Sequence, residues 1–212
     1  MTGLILGLDI DEVSLEFITD FLIFHNDKYG TNLSKEDIVN FNFNNQLGCT
    51  FPEAWERVLE FYETPLSRRV MPVLGAQQGI AELKKYFDKI YGLTARPEEM
   101  KERTSASIDY IFSGEFDDIK YSDFYNPEKT KTTKDEWCKI IPIDVLVEDR
   151  VKYAIKCAKT GTKVFLFDQP WNQDDKMRHF LKDEMEIYNA ITRVYGWSHA
   201  VPRIKEHIKQ LQ

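Results

Sequence analysis

Apolar and polar positions along this chain switch repeatedly between two spacings. Leu4-Ile5-Leu6-Gly7-Leu8 is an apolar run broken by one glycine, the pattern of a strand buried on both faces. From Leu15 to Tyr29 the period lengthens, with Leu15, Phe17, Ile18, Phe21, Leu22 and Phe24 forming a helical stripe that Gly30 is placed to stop. Ser34 to Asp37 fits a capping box for a short helix reaching about Phe41, and Pro52 to Tyr62 again has helical spacing. No strand pattern interrupts 14–70. That block reads as a helical insertion, leaving 1–13 and 71–212 as the main body.

Beyond it the two spacings alternate. Ala76 to Phe87 is an amphipathic helix, Asp88 to Thr94 a second strand, and Pro97 suits the first turn of a helix reaching about Phe112. Asp117 to Ser122 is a third strand, placed at an edge. Thr132 and Thr133 can cap a helix from Lys134 to Ile141. Ile143 to Val147 is a fourth strand, Val151 to Thr160 a helix, and Thr162 to Phe167 a fifth strand; helices at about 174–194 and 199–211 follow. Strands separated by helices imply a parallel sheet covered on both faces. The expected fold is a three-layer α/β/α Rossmann-like sandwich with five parallel strands and a small helical cap after the first.

Composition narrows the class. A hydrophobic fraction of 42% and a charged fraction of 30% are ordinary for a globular protein. The formal net charge of −7 argues against nucleic-acid polymers and anionic membranes as partners. Cys49, Cys138 and Cys157 form no CxxC pair, which suggests a reducing compartment. The histidines are scattered and form no zinc pattern. Neither a signal peptide nor a run of membrane-spanning length is read, so a cytoplasmic protein is expected.

The chemistry gathers where strands end. Asp9 and Asp11 follow the first strand with a spacing of i, i+2, so both can face one crevice if the strand continues that far. Adjacent carboxylates repel unless a cation intervenes, and hard oxygen ligands favour Mg²⁺. Thr94 ends the second strand, Glu148 and Asp149 the fourth, and Lys134 begins the helix before the fourth.

Asp9-Ile-Asp11-Glu-Val13, Thr94, Lys134 and Glu148-Asp149, in that order, resemble the four motifs of the haloacid dehalogenase superfamily of phosphohydrolases. An early helical cap, Thr94-Ala-Arg-Pro97 and Pro170-Trp-Asn172 are similar to the deoxyribonucleotidase-like members. The resemblance implies a Mg²⁺-dependent phosphomonoesterase, a 5'-nucleotidase for nucleoside monophosphates. It makes Asp9 the nucleophile, Asp11 the general acid and base, Thr94 a hydrogen-bond donor to the phosphoryl group and Lys134 the balancing charge. Asp9, the Asp11 carbonyl and Asp149 would hold the metal, with Glu148 behind them. Phe17, Thr94, Ala95 and Lys134 would contact the substrate, Phe17 by stacking on a base or else serving as cap core. Phe43, Phe51 and Trp55 are weaker candidates for that wall. Lys129, Lys131 and Lys139 compete with Lys134, and Arg96 is read as a surface or structural ion pair. Three features depart from the family pattern: Glu12 stands where a small residue is usual, Glu148 where Asp is common, and the aromatics of the helical cap match only loosely. A sugar phosphatase and a catalytically silent phospho-ligand binder are the alternatives, and a homodimer is left open.

Overall fold

The computed structural model describes residues 3–40, 43–122, 132–173 and 184–211. Phe41, Lys129, Lys131 and the 174–183 part of the expected 174–194 helix lie outside them. The strands are β1 (Ile5–Asp9), β2 (Lys89–Thr94), β3 (Asp118–Tyr121), β4 (Val145–Glu148), β5 (Lys163–Phe167) and β6 (Thr192–Val194). Their helices are α1 (Ile18–Tyr29), α2 (Phe51–Tyr62), α3 (Ala76–Leu83), α4 (Lys101–Phe112), α5 (Lys134–Ile140), α6 (Val151–Ala158), α7 (Met185–Ala190) and α8 (Trp197–Leu211). All strand pairings are parallel, in the order β3-β2-β1-β4-β5-β6.

The five expected strands are present, with β3 at an edge as expected, and a sixth corrects the count. Thr192–Val194, expected to be helical, pairs with β5 through Phe165↔Thr192 and Phe167↔Val194. Three residues are too few to display a two-residue period. The Ser34 helix is likewise shorter than expected. It is one 3₁₀ turn, Lys35–Asp37, because Ile38 leaves helical geometry (φ −81°, ψ 77°) and is buried in the cluster that holds Phe17, Phe21 and Phe61.

β1 sits between β2 and β4, which is why its apolar run does not alternate: both faces are covered. On one face Leu6, Leu8, Val145, Val147, Phe165 and Phe167 pack against Ile80 of α3, Ile108 of α4 and Trp197 and Ile204 of α8. On the other, Leu146, Val164 and Leu166 meet Cys138 of α5 and Ala154, Ile155 and Cys157 of α6. Gly7 interrupts the β1 run for a packing reason. A Cβ there would lie 3.1 Å from Ile143, 3.2 Å from Leu146 and 3.3 Å from Leu93. A third cluster joins α1 and α2 through Phe17, Phe21, Val58 and Phe61 and touches the main body at Met100 and Trp171. Among the described residues no helix is long and apolar enough to cross a membrane.

Candidate active site

Parallel strands deliver their carboxyl ends to one edge of the sheet, and in open α/β folds that edge is where ligands bind. Here β1 ends in Asp9, β2 in Thr94 and β4 in Glu148, with Asp149 next. Carboxylate oxygens of Asp9, Glu148 and Asp149 all lie within 4.8 Å of one another, and all three residues are buried. Lys134 reaches them from the first turn of α5. Its start is set by a capping box in which the Thr133 N–H and hydroxyl both donate to Glu136, at 2.7 and 3.0 Å. The Lys134 ammonium is 1% exposed and lies 2.7 Å from Asp9 Oδ2 and 2.7 Å from Glu148 Oε2. Lys139 is exposed.

Each acid is held by more than its charge. Asp9 Oδ1 accepts from the Ile10 N–H at 2.7 Å, and Glu148 Oε1 from the Arg150 N–H at 3.1 Å. Trp171 Nε1 donates to Asp149 Oδ2 at 2.9 Å, while the Asn172 amide spans the carbonyls of Asp149 and Phe167. The Pro-Trp-Asn turn after β5 therefore buttresses the end of β4.

β1 stops at Asp9, so Asp11 lies beyond the strand, in an isolated bridge to Leu15 that flanks the turn at 12–14. Its carboxylate is taken by Arg96, with Nε 3.0 Å from Oδ2 and Nη2 2.6 Å from Oδ1. Arg96 is buried, which corrects the surface alternative for that residue; its partner is the candidate acid. Thr94 is fully buried and its hydroxyl accepts the Arg96 N–H at 3.1 Å.

Glu12, the first departure from the family pattern, adopts φ 61° and is nonetheless buried. Its Oε1 accepts from the Phe17 and Ile18 N–H groups at 2.8 and 2.6 Å, serving the start of α1, which lacks a capping side chain of its own. Lys35 closes on its Oε2 at 2.5 Å. Glu12 thus ties the turn next to Asp11 to the helical block.

Asp9, Asp11 and Asp149 open into a chamber of about 940 Å³, counted out to its mouth. Phe17, Phe43, Phe51, Trp55, Tyr62, Ala95, Tyr153 and Trp171 line it. Phe17 also stacks on Phe21 at 5.6 Å between ring centres and meets Phe61 edge-on, so it is both chamber wall and core of the helical block.

The electrostatics show a deficit of positive charge. Burial, then the neighbouring Glu148 charge, push the Asp9 carboxyl well above the usual aspartate range. The same two causes raise Asp149. Burial is also the largest influence on Glu148 and acts in the same direction, but the Lys134 charge together with hydrogen bonds from Asp9, Lys134 and the Arg150 N–H holds Glu148 below its ordinary value. Three buried carboxylates thus have one ammonium among them, at hydrogen-bonding distance of Asp9 and Glu148. Two negative charges remain, and a hard dication would balance them. The donor set fits Mg²⁺.

Of the residues singled out in the sequence, Asp9, Lys134, Glu148 and Asp149 converge into one buried cluster, and Asp11, Ala95 and Phe17 face the same chamber. Thr94 lies beside them but not on the chamber wall. Arg96, Trp171, Tyr62 and Tyr153 were given no site role. Thr-Ala-Arg-Pro and Pro-Trp-Asn, as chemically loaded strand-end segments, were the available signal for the first two.

A model of the family described as 5' nucleotidase, deoxy (pyrimidine), cytosolic type C protein matches residues 3–195. A candidate nucleotidase of Halalkalibacterium halodurans is 26% identical over 206 residues, covering 96% of this chain and 94% of that protein. Two solved structures share the fold. A predicted phosphatase from Clostridium acetobutylicum superposes with a TM-score of 0.62 at 14% identity, covering 99% of this chain and 98% of that one. A haloacid dehalogenase-like hydrolase from Streptococcus pneumoniae has a TM-score of 0.60 at 12% identity, covering 85% and 92%. The chain accordingly belongs to the cytosolic type C 5'-nucleotidase family, phosphoric monoester hydrolases on the haloacid dehalogenase-like fold.

Proposed function

We propose that this chain is a Mg²⁺-dependent 5'-nucleotidase that hydrolyses nucleoside or deoxynucleoside monophosphates through an aspartyl-phosphate on Asp9. The observation that carries the reading is the opening of a buried carboxylate–lysine cluster directly into an aromatic chamber. Asp9 attacks phosphorus, and the ester oxygen leaves with its bonding pair and takes a proton from Asp11. Asp11 then removes a proton from the water that attacks the phosphoryl group, releasing phosphate and restoring Asp9. Lys134 fixes the Asp9 carboxylate and offsets the charge gathered there. The Thr94 hydroxyl and the Ala95 backbone bind phosphoryl oxygens. The Asp9 and Asp149 carboxylates and the Asp11 carbonyl would hold Mg²⁺, with Glu148 behind them. When bound, the ion neutralises charge between carboxylates and phosphate.

In this reading residues 14–70 are a cap over a core of 1–13 and 71–212, and Phe17 with Phe43 and Trp55 takes the base. The aromatic side chains in the chamber's lining suit a planar ring better than a sugar ring. A cytoplasmic location accompanies the proposal, on the sequence features alone.

Phosphate release from a panel of nucleotides, sugar phosphates and simple phosphate esters tests it. Nucleoside monophosphates should have the highest kcat/KM, excess EDTA should abolish turnover, and Asp9→Asn should lower kcat by ~10⁴-fold or more. Undiminished turnover in chelator, or in the Asp9 variant, would refute the mechanism. A preference for sugar phosphates would refute the substrate class.

A further inference from the structure

Not every carboxylate at this edge of the sheet joins the buried cluster. Asp9, Glu148 and Asp149 form the cluster, whereas both Asp11 oxygens are engaged by Arg96. The partners in that pair are unequal. Asp11 is 29% exposed and lines the chamber, while Arg96 is 7% exposed and tied on several sides. Its Nη1 donates to Thr104 Oγ1 at 3.1 Å, its backbone N–H donates to Thr94 Oγ1, and its guanidinium lies 5.7 Å from the Tyr62 ring centre. The cation is the anchor and the carboxylate is what it orients. A planar fork with two contacts sets the tilt of a carboxylate, which the point charge of a lysine does not.

We infer that Arg96 is a positioning residue for the reaction: its fork holds the Asp11 carboxylate on the chamber wall, clear of the Asp9–Glu148–Asp149 cluster and facing the leaving-group oxygen. The inference rests on Asp11 being the general acid. Without the fork, the Asp11 side chain is free to turn from the chamber wall toward the cluster and its metal. The acid would then be misplaced while nucleophile, lysine and metal ligands stay where they are. Misplacement by about an ångström costs ~10²-fold in rate.

The test is a leaving-group series of phenyl and alkyl phosphates, none carrying a base. A nitrophenolate departs without a proton, whereas an alkoxide needs one. Arg96→Lys and Arg96→Gln should therefore lose ~10²-fold in kcat/KM, which covers only the steps up to departure of the leaving group, on alkyl phosphates and far less on 4-nitrophenyl phosphate. The plot of log kcat/KM against leaving-group pKa should steepen. Equal loss across the series would overturn the inference, since a merely structural arginine shifts every substrate alike. Asp11→Asn run in parallel separates the two claims: no leaving-group dependence there would overturn the acid role itself. In the double variant Asp11→Asn/Arg96→Gln, the selectivity should match that of Asp11→Asn alone, and additive losses would count against the inference. Should the Arg96 variants fail to fold, Thr104→Val loosens the same fork. A few-fold loss confined to poor leaving groups is expected there, and a uniform loss overturns the proposal.

Discussion

Removing the ammonium of Lys134 should destabilise the metal-free protein by an amount that depends on pH. Lys134→Met retains most of the apolar stem and deletes the charge lying 2.7 Å from both Asp9 and Glu148. Taking away one partner of a buried ion pair costs ~3–5 kcal/mol, because the charge left behind stays desolvated. Here one residue serves two carboxylates. In the intact protein burial already raises Asp9 above its ordinary value of 3.8, and Lys134 opposes that; Glu148 lies below its ordinary 4.5 because the Lys134 charge and hydrogen bond, with those from Asp9 and the Arg150 N–H, together overcome burial. Without the lysine both carboxyls move up. A carboxyl whose pKa is higher in the folded than in the unfolded chain makes the folded state bind more protons, so stability falls as pH rises between the two values. Each such proton changes stability by ~1.4 kcal/mol per pH unit. The deficit of Lys134→Met should thus approach ~3–5 kcal/mol at neutral to alkaline pH. It should shrink as the pH falls toward the ordinary carboxylate range. Guanidinium unfolding in EDTA, followed by circular dichroism across a pH series, measures it. A loss below ~1 kcal/mol, or one that is flat with pH, would refute the account of how this site is held together.

Three further outcomes follow from specific contacts. Glu12→Gly relieves a left-handed φ worth ~1 kcal/mol but removes the buried acceptor of two N–H bonds and the partner of Lys35, worth ~1.5–3 kcal/mol per charged bond. Its melting temperature should fall, and a rise would mean that backbone strain dominates that turn. Trp171→Phe keeps the ring but loses the Nε1 bond to Asp149, so the Mg²⁺ concentration for half-maximal activity should rise ~10–100-fold with little change in melting temperature. An unchanged Mg²⁺ requirement would separate Asp149 from the metal. Gly79→Ala should destabilise the fold by ~1 kcal/mol in denaturant titration. Its Cβ would come 2.6 Å from Trp197, and overpacking of that kind outweighs the ~1 kcal/mol helix-propensity gain; a more stable variant would show that Trp197 gives way freely.

The elements that could be read from the chain are those whose burial imposes a regular spacing. β1 and β4 are covered on both faces, so their runs are continuously apolar, and the acids that end them mark the sheet edge where ligands bind. α5 announced itself through Thr132 and Thr133, and Thr133 caps it in space through Glu136, a partner only three residues away. β6 gave no such mark, since three residues at the rim of a sheet need no pattern of their own. Glu12 could be flagged as unusual, but its role depends on where α1 begins and where Lys35 arrives.

The same division runs through the site. The kinds of groups present, and their arrival at neighbouring strand ends, follow from the sequence, because short-range periodicity and chain order determine which residues terminate which strand. Which charge faces which does not follow. Asp11 and Arg96 are 85 residues apart and meet only because β1 and β2 are neighbours in the sheet; Trp171 reaches Asp149 because the turn after β5 folds against the end of β4. Phe17 is chamber wall and helical core at once because α1 and α2 close on each other above the sheet edge. Such pairings depend on desolvation and on distances of a few ångströms. Both come into being only when the layers pack, and neither leaves a period in the sequence.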